Sequence, residues 1–409
     1  MENNNTKPFY NTSIPSDWEV KTFGELFDFK NGINAGKESY GTGVKFINVM
    51  EVIYNDSFTS EKITGTIQIT KEQKQLYLVK NGDVLFNRTS ETTDEIGLTA
   101  VYCGDEEVVF GGFVIRGRPI DQSINNNFKR YCFRSKIVRE QIIKSGQGAI
   151  RTNIGQGDLD KVEVPLPPLP EQRAISHILG LMDSVINQNA QLIAQKELRK
   201  KWLMQNLLTG KKRLKGFGGE WKEIHLGEMF KERNETRYFD LPLLSVGASG
   251  IYPQSDSIKK DTSNEDKSKY KRICLGDIGY NTMRMWQGRS ALSSLEGIVS
   301  PAYTIVTPKK IADSHFFSYL FKTSKLTNLF WRNSQGLVDD TLNCKYKDFA
   351  IVRVNLPGTK EEQTAISLVL QAADKEIQLL KAKTDKLREQ KKGMMQVLLT
   401  GKKRLKIKM

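Results

Sequence analysis

Leu207-Leu208-Thr209-Gly210-Lys211-Lys212-Arg213-Leu214-Lys215 returns unchanged, 191 residues later, as Leu398-Leu399-Thr400-Gly401-Lys402-Lys403-Arg404-Leu405-Lys406. Upstream, Glu171-Gln172, Ala174-Ile175-Ser176 and Asp183 return at the same offset as Glu362-Gln363, Ala365-Ile366-Ser367 and Asp374, so the whole segment is duplicated without a gap. Farther out the match loosens. Trp18, Gly24, Glu25 and Phe27 correspond to Trp221, Gly227, Glu228 and Phe230 at an offset of 203, and Gly82-Asp83 and Asn87 to Gly276-Asp277 and Asn281 at 194. The first copy is therefore 12 residues longer in its middle. The chain divides into a variable domain (1–169), a constant segment (170–215), a second variable domain (216–358) and a second constant segment (359–409).

The constant segments read as long helices. Every 3.5 residues from Ile175 the seam runs Ile175, Leu179, Met182, Ile186, Asn189, Ile193, Lys196, Lys200, Leu203, Leu207, and the second copy runs Ile366 to Leu398 in the same register. A heptad seam of this length is a coiled-coil signature. Pro170 suits a helix start, Thr359 with Glu362 reads as a capping box, and Gly210 and Gly401 are placed to end the helices. The following Lys-Lys-Arg suits the negative end of the dipole. Each helix spans about 50 Å at 1.5 Å per residue, whereas a domain of this size is only about 35–40 Å across. A parallel pair would force the second variable domain to bridge the helix length. Antiparallel pairing is expected instead, with a variable domain at each end and an approximate two-fold axis. Polar seam residues Asn189, Lys196, Lys200, Thr384 and Lys391 are candidates for fixing register, the alternatives being lysines that snorkel out or a seam covered by another subunit. The fold class is α+β: two mixed α/β domains separated by two long helices in an antiparallel coiled coil, with an internal pseudo-two-fold repeat.

With 409 residues, 38% hydrophobic and 27% charged, the chain has the composition of a globular protein with more than one core. Its start lacks the apolar core of a signal peptide, which points to the cytoplasm, and no apolar run approaches the ~18 residues of a membrane span. Cys103, Cys132, Cys274 and Cys344 form no Cys-x-x-Cys pair, which argues against a zinc module or a disulfide framework. The net charge of +15 makes a polyanion the first partner to consider. Residues 1–169 hold 20 basic and 22 acidic side chains, whereas 170–215 hold 9 and 3 and 361–409 hold 12 and 6, so most of the excess sits on the constant segments.

Both variable domains read as short strands with helices. Val84-Leu85-Phe86 follows an Asn-Gly-Asp turn, and Val108-Val109-Phe110 and Phe113-Val114-Ile115 flank Gly111-Gly112 as buried strands. Ile298-Val299 and Tyr303-Thr304-Ile305-Val306 repeat the scheme, and residues 125–144 and 311–330 are helix-like. Two loop regions in each copy carry chemistry suited to bases. One holds Asn87 and Arg88, answered by Asn281, Arg284 and Arg289. The other runs from Ser145 through Gln147, Ala149, Ile150, Arg151 and Asn153, answered by Gln335, Leu337, Asn343 and Lys345. Arginine pairs bidentately with guanine and asparagine or glutamine with adenine, while glycine lets the backbone approach closely. Ordinary solvated turns are the alternative reading of each residue.

No phosphate-binding Gly-x-x-x-x-Gly-Lys, Gly-x-Ser-x-Gly, His-Glu-x-x-His, Asn-Pro-Pro-Tyr-like or paired-acid nuclease motif is present, and His177, His225 and His315 are scattered. No catalytic or metal-ligating residues are assigned.

The duplicated variable domain, each copy followed by a Pro-rich stretch and Glu-Gln into a long helix (Pro167 to Ser176, echoed by Leu356-Pro357 to Ser367), with both copies closing on Leu-Leu-Thr-Gly, resembles the specificity subunit of Type I restriction-modification enzymes. The second copy departs by having Pro357-Gly358-Thr359-Lys360 where the first has Pro-Pro-Leu-Pro. The resemblance implies two target-recognition domains, each reading half of a bipartite double-stranded DNA sequence. It also implies helices that act as spacer and dock two methyltransferase subunits, with restriction/translocase subunits joining for cleavage. Apolar seam positions Ile175, Leu179, Ile186, Ile366, Leu370 and Ile377 are the docking candidates. S-adenosylmethionine, ATP and Mg2+ would belong to the partners, leaving this chain non-catalytic and without a cofactor. The alternative is a coiled-coil scaffold with two ligand-binding domains and no DNA role.

Overall fold

The computed structural model describes residues 5–148, 151–247, 250–256, 263–336, 338 and 341–405. Of the positions read above, Ala149, Ile150, Leu337 and Lys406 lie outside them. The chain packs as two units: residues 1–189 with 383–409, and residues 190–382.

The first unit is built on a five-stranded sheet in the order Phe27–Asn31, Val114–Pro119, Val84–Asn87, Thr99–Tyr102, Ser57–Phe58, antiparallel except for the last pair. Every residue of Val84–Asn87 and Thr99–Tyr102 is buried, which is why Val84-Leu85-Phe86 reads as an apolar run rather than an alternating one. A second sheet sets Tyr40–Ile47 between Val109–Phe110 and Thr66–Ile67. The second unit repeats the frame: Phe230–Arg233, Tyr303–Pro308, Ile278–Asn281 and Ser290–Leu292 form an antiparallel sheet in the same order as the first four strands above.

The helix-like stretch 125–144 is two helices, Asn126–Cys132 and Lys136–Ser145. Between them Arg134 turns inward and donates to the carbonyls of Thr99, Val52 and Asn55, and Ser135 is extended. The stretch 311–330 likewise divides into Ser314–Leu320 and Ser324–Asn333 around extended Thr323. Spacing of apolar residues carries one face across both helices and so does not reveal the break.

The two connector helices run Leu169–Leu207 and Lys360–Leu398. In the first unit the start of the first connector (Ile175, Leu179) shares a core with the end of the second (Leu398, Leu399), together with Trp18, Phe128 and Tyr131. In the second unit Leu207 and Leu208 meet Ile366 and Leu370 in the same way. Within each unit the connectors therefore run antiparallel, as the length argument requires.

The seam lysines settle the register. In the first unit Lys391 pairs with Asp183 at 2.5 Å, and Tyr131 donates to the same carboxylate at 2.7 Å. The second unit repeats the triad: Lys200 pairs with Asp374 at 2.5 Å and Tyr319 donates at 2.6 Å. Burial and the adjacent carboxylate push both phenols well above the ordinary tyrosine range. Lys196 reaches Glu376 at 2.5 Å. A one-residue slip would break these pairs and turn the apolar seam out of contact.

The Glu-Gln of the repeat has a physical explanation. Gln172 accepts from Asn125 N at 2.8 Å and donates to the carbonyls of Ser123 and Pro167, fastening the helix to its own domain. Gln363 does the same with Asp313 N and the Ile311 carbonyl. Glu171 accepts two hydrogen bonds from Arg404 at 2.7 Å and one from Trp18 Nε1 at 3.2 Å; Glu362 receives Arg213 and Trp221. Two expectations change here. Thr359 Oγ1 caps Glu362 N at 3.4 Å, but Glu362 gives its carboxylate to Arg213 rather than returning it to the cap. The arginine of each Lys-Lys-Arg is held by the carboxylate at the start of the other helix instead of resting on its own dipole. Gly210 (φ +70°) and Gly401 (φ +68°) take the left-handed conformation that stops the helices.

Ile175, Leu179, Ile186, Ile366, Leu370 and Ile377 are all buried. The chain's own packing fills the seam, so these residues offer no docking surface to another subunit. The apolar side chains left exposed on the connectors are Leu181, Val185, Leu198, Trp202, Leu368 and Leu379, among others.

Candidate nucleic-acid interface

Each unit presents its loops from a buried carboxylate. After Gly82 (φ +88°) Asp83 is buried, accepts from Lys80 N at 2.9 Å and pairs with Arg118 at 2.9 Å. After Gly276 (φ +85°) Asp277 accepts from Cys274 N at 2.8 Å and pairs with Arg233 at 2.7 Å. An ionised group with its turn amide and a guanidinium both satisfied fixes the root of the central strand. Beside the first turn, Lys129 is buried, donating to the Gly82 carbonyl and Asn126, and burial lowers its ammonium to about 8.

At the far end of that strand the two loops found in sequence converge. In the first unit Ile154 N donates to the Arg88 carbonyl at 3.0 Å, Thr89–Ser90 pairs antiparallel with Thr152–Asn153, and Gln147 and Asn153 exchange backbone hydrogen bonds. Thr89 Oγ1 donates to Asn153 Oδ1 at 2.7 Å, and Arg151 reaches Glu91 at 3.2 Å. Between them Gly148 has φ +122°, and a Cβ there would lie 2.1 Å from the Arg151 carbonyl, so only glycine closes this turn. The second unit uses the same backbone scheme: Cys344 N donates to the Thr282 carbonyl at 2.8 Å, Gln335 and Asn343 exchange backbone bonds, and Gly336 has φ +151°.

The side chains on this shared frame differ. Exposed Gln147, Arg151 and Asn153, with half-buried Arg88, lie together in the first unit. In the second, Arg284 and Arg289 are exposed, with no hydrogen bond or ion pair from their side chains to the described residues. Exposed Lys345 and half-buried Asn343 line a cavity of about 490 Å³ with Lys271, Tyr346 and Lys347. Gln335 is exposed and donates to Asp348 at 3.1 Å, and Asn281 is half-buried, its Oδ1 taken by Met283 N at 3.0 Å.

Asn87 needs correction. It is fully buried and donates to the Glu95 carbonyl at 2.9 Å, so it shapes the loop and faces no ligand. Its position as the last residue of an apolar strand was the signal for this. Phe113, read as a buried strand residue, instead stands 59% exposed on the Gly111-Gly112 turn, its carbonyl accepting from Arg88 N at 2.9 Å. Phe113, Glu91, Lys271 and Lys347 are the neighbours that sequence spacing did not bring to these loops. Among the described residues no group of three or more His, Cys, Asp or Glu side chains could hold a metal ion, and no helix is long and apolar enough to cross a membrane.

Residues 15–198 match the family model for the Type I restriction modification DNA specificity domain. The putative type I restriction enzyme MjaX specificity subunit of Methanocaldococcus jannaschii is 27% identical over 96% of this chain and 95% of its own length. The MjaVIII specificity subunit of the same organism is 24% identical over 98% and 96%. Among solved structures, the S subunit of a Type I restriction-modification system from M. genitalium superposes with TM-score 0.56 at 16% identity, covering 96% of this chain and 98% of that one. The HsdS subunit from Thermoanaerobacter tengcongensis gives 0.51 at 17%, with the same coverage. At such identities the superpositions speak for the fold alone.

Proposed function

We propose that the chain is a DNA-recognition specificity subunit of the Type I restriction-modification kind, a reading supported by the matched domain and the full-length relatives, and that each of its two converging loop pairs reads one half of a bipartite target. One observation carries this reading: a single backbone scheme, repeated in both units, presents different polar side chains. A reader of two unlike half-sites needs a constant frame under variable letters, and a scaffold that binds no DNA does not. In the first unit Arg88, Gln147, Arg151 and Asn153 face the duplex; in the second Arg284, Arg289, Gln335, Asn343 and Lys345 do so. Arginine suits guanine and the carboxamides suit adenine.

Two methyltransferase subunits dock on the exposed apolar side chains of the connectors, around Leu198 and Trp202 on the first and Leu368 and Leu379 on the second. At the 191-residue offset these four positions are answered by Glu389, Gly393, His177 and Gln188, so the two partners meet different side chains on a duplicated helical frame. Restriction/translocase subunits complete the assembly. The chain performs no chemistry itself; S-adenosylmethionine, ATP and Mg2+ are bound by the partners, and the complex works in the cytoplasm, where the DNA is. Methylome sequencing of cells carrying this chain with its partners tests the reading: a split asymmetric motif is expected. Exchanging residues 216–358 for those of a relative should change one half of it only. A target unaltered by that exchange would overturn the modular reading.

A further inference from the structure

The first recognition domain poses an electrostatic problem. Residues 1–189 carry 21 basic and 24 acidic side chains, an unfavourable balance for a surface that must lie against phosphates. The same packed unit includes residues 383–409, which carry 10 basic and 2 acidic side chains. The last part of the second connector thus brings to this domain the positive charge that its own sequence lacks.

That charge borders a groove of about 830 Å³ between the second connector and the start of helix Lys136–Ser145. Its cationic lining is Arg134, Lys136, Arg388, Lys391, Lys392 and Lys402, against one carboxylate, Glu140. Arg134 is spent on backbone carbonyls, Lys391 on Asp183, Arg388 on Asp385 and Lys136 on Glu140. Glu140 also accepts from Asn11. Lys392 and Lys402 form no ion pair or hydrogen bond with the described residues.

Two further features belong to this groove. It reaches the N-terminus of a ten-residue helix that has no side-chain cap, so first-turn N–H groups are left to an outside acceptor. Ser135, the residue before that turn, lines the groove at only 8% exposure, and its hydroxyl oxygen is buried without a hydrogen-bond partner. A buried orphan hydroxyl at an uncapped helix start beside free ammonium groups has the donor set that an anion satisfies. The equivalent place in the second unit is built differently: Thr323 there donates its hydroxyl to the Leu320 carbonyl, and Glu197, paired with Lys381, stands where the first unit has Arg388.

We propose that this groove is a phosphate-backbone site, in which Ser135, the first turn of helix Lys136–Ser145, Lys392 and Lys402 hold sugar-phosphate of the duplex bound by the first recognition domain. The proposal rests on the DNA-reading function above and adds a sequence-independent grip to it. Such contacts are unaffected by base identity and register as salt dependence, at about 0.9 in the logarithmic slope per phosphate neutralised.

The test uses the full-length chain and two labelled duplexes, one carrying the motif obtained from the methylome and one of random sequence, titrated from 50 to 200 mM salt. Lys392→Ala/Lys402→Ala should lower the slope by about 1–2 on both duplexes alike. Ser135→Ala should weaken binding a few-fold with the slope unchanged, since a hydroxyl carries no charge. The matched pair in the second unit, Lys201→Ala/Lys211→Ala, should change the slope less than half as much. Unchanged slopes, equal effects of the two lysine pairs, or a loss confined to the motif duplex would each overturn the site. So would loss of methyltransferase binding with an intact DNA slope, which would make the groove a protein dock. If wild-type chain with its methyltransferase showed no preference for the motif duplex, the reading function would fail instead, and the slope comparison would still decide the groove.

Discussion

Replacing Arg404 by alanine tests the clamp that closes the first unit. The Glu171 carboxylate is 3% exposed and would keep only the Trp18 indole N–H at 3.2 Å. Removing one partner of a buried pair costs about 3–5 kcal/mol. Arg404 itself is 37% exposed, so water enters the vacated space, and the second pair it makes, with half-exposed Asp17, contributes below about 1 kcal/mol. The discounted expectation is about 2–3 kcal/mol. For a unit of this size that corresponds to a fall of about 5–10 °C in Tm. Differential scanning calorimetry should show it in the transition of the first unit only, while Arg213→Ala should lower the other. Glu171→Gln removes the buried charge, so the double variant should be more stable than the sum of the single losses by more than about 1 kcal/mol. The Arg404 hydrogen bond holds the Asp17 carboxyl below its ordinary value, so that part of the clamp weakens as acid protonates it. A shift below 1 °C for Arg404→Ala, or strict additivity in the cycle, would refute the reasoning.

The lowered Lys129 ammonium makes stability pH-dependent in the alkaline direction. Its folded value of about 8 lies beneath the ordinary 10.5, so the unfolded chain holds the proton longer and stability rises as pH climbs through that window. The gain is at most about 3 kcal/mol, read as the difference between wild type and Lys129→Met in urea unfolding at pH 7.5 and 10. Arg284→Ala should cost about 1–3 kcal/mol of discrimination in one half of the target and leave the other half intact, measured by competition binding. Gly148→Ala forces a side chain against the Arg151 carbonyl; faster hydrogen exchange at Gln147 and Asn153 should follow, with Tm nearly unchanged. Trp202→Asp should weaken capture of the methyltransferase at least tenfold without altering binding to random DNA.

Duplication, helix pairing and the left-handed glycines were legible because each depends on residues in a fixed register. Period and repeat identify which positions must be buried, but not which surface covers them. Ile175 and Ile366 therefore resembled docking residues until the opposite connector was found to occupy their face. The loops were found through their amides, glycines and guanidinium groups. Asn87 misled because the same carboxamide that can read adenine can satisfy a turn carbonyl, and only depth distinguishes the two. Phe113 hid for the converse reason: a glycine pair lifted it out of a run that otherwise reads as core. The basic groove joins positions some 250 residues apart, and no local pattern announces such a meeting.

The Arg404–Glu171 bond has a consequence for synthesis. The second unit is one uninterrupted stretch, residues 190–382, and every part of it has left the ribosome before its neighbour's last piece does. The first unit, although translated earlier, waits for residues 383–409. At about 5–20 residues per second, Trp18 and Glu171 stand without their closing arginine for some ten seconds or more. The half of the protein born first is thus the last to be sealed, and a nascent chain stalled short of its tail should expose that half, and not the other, to proteolysis.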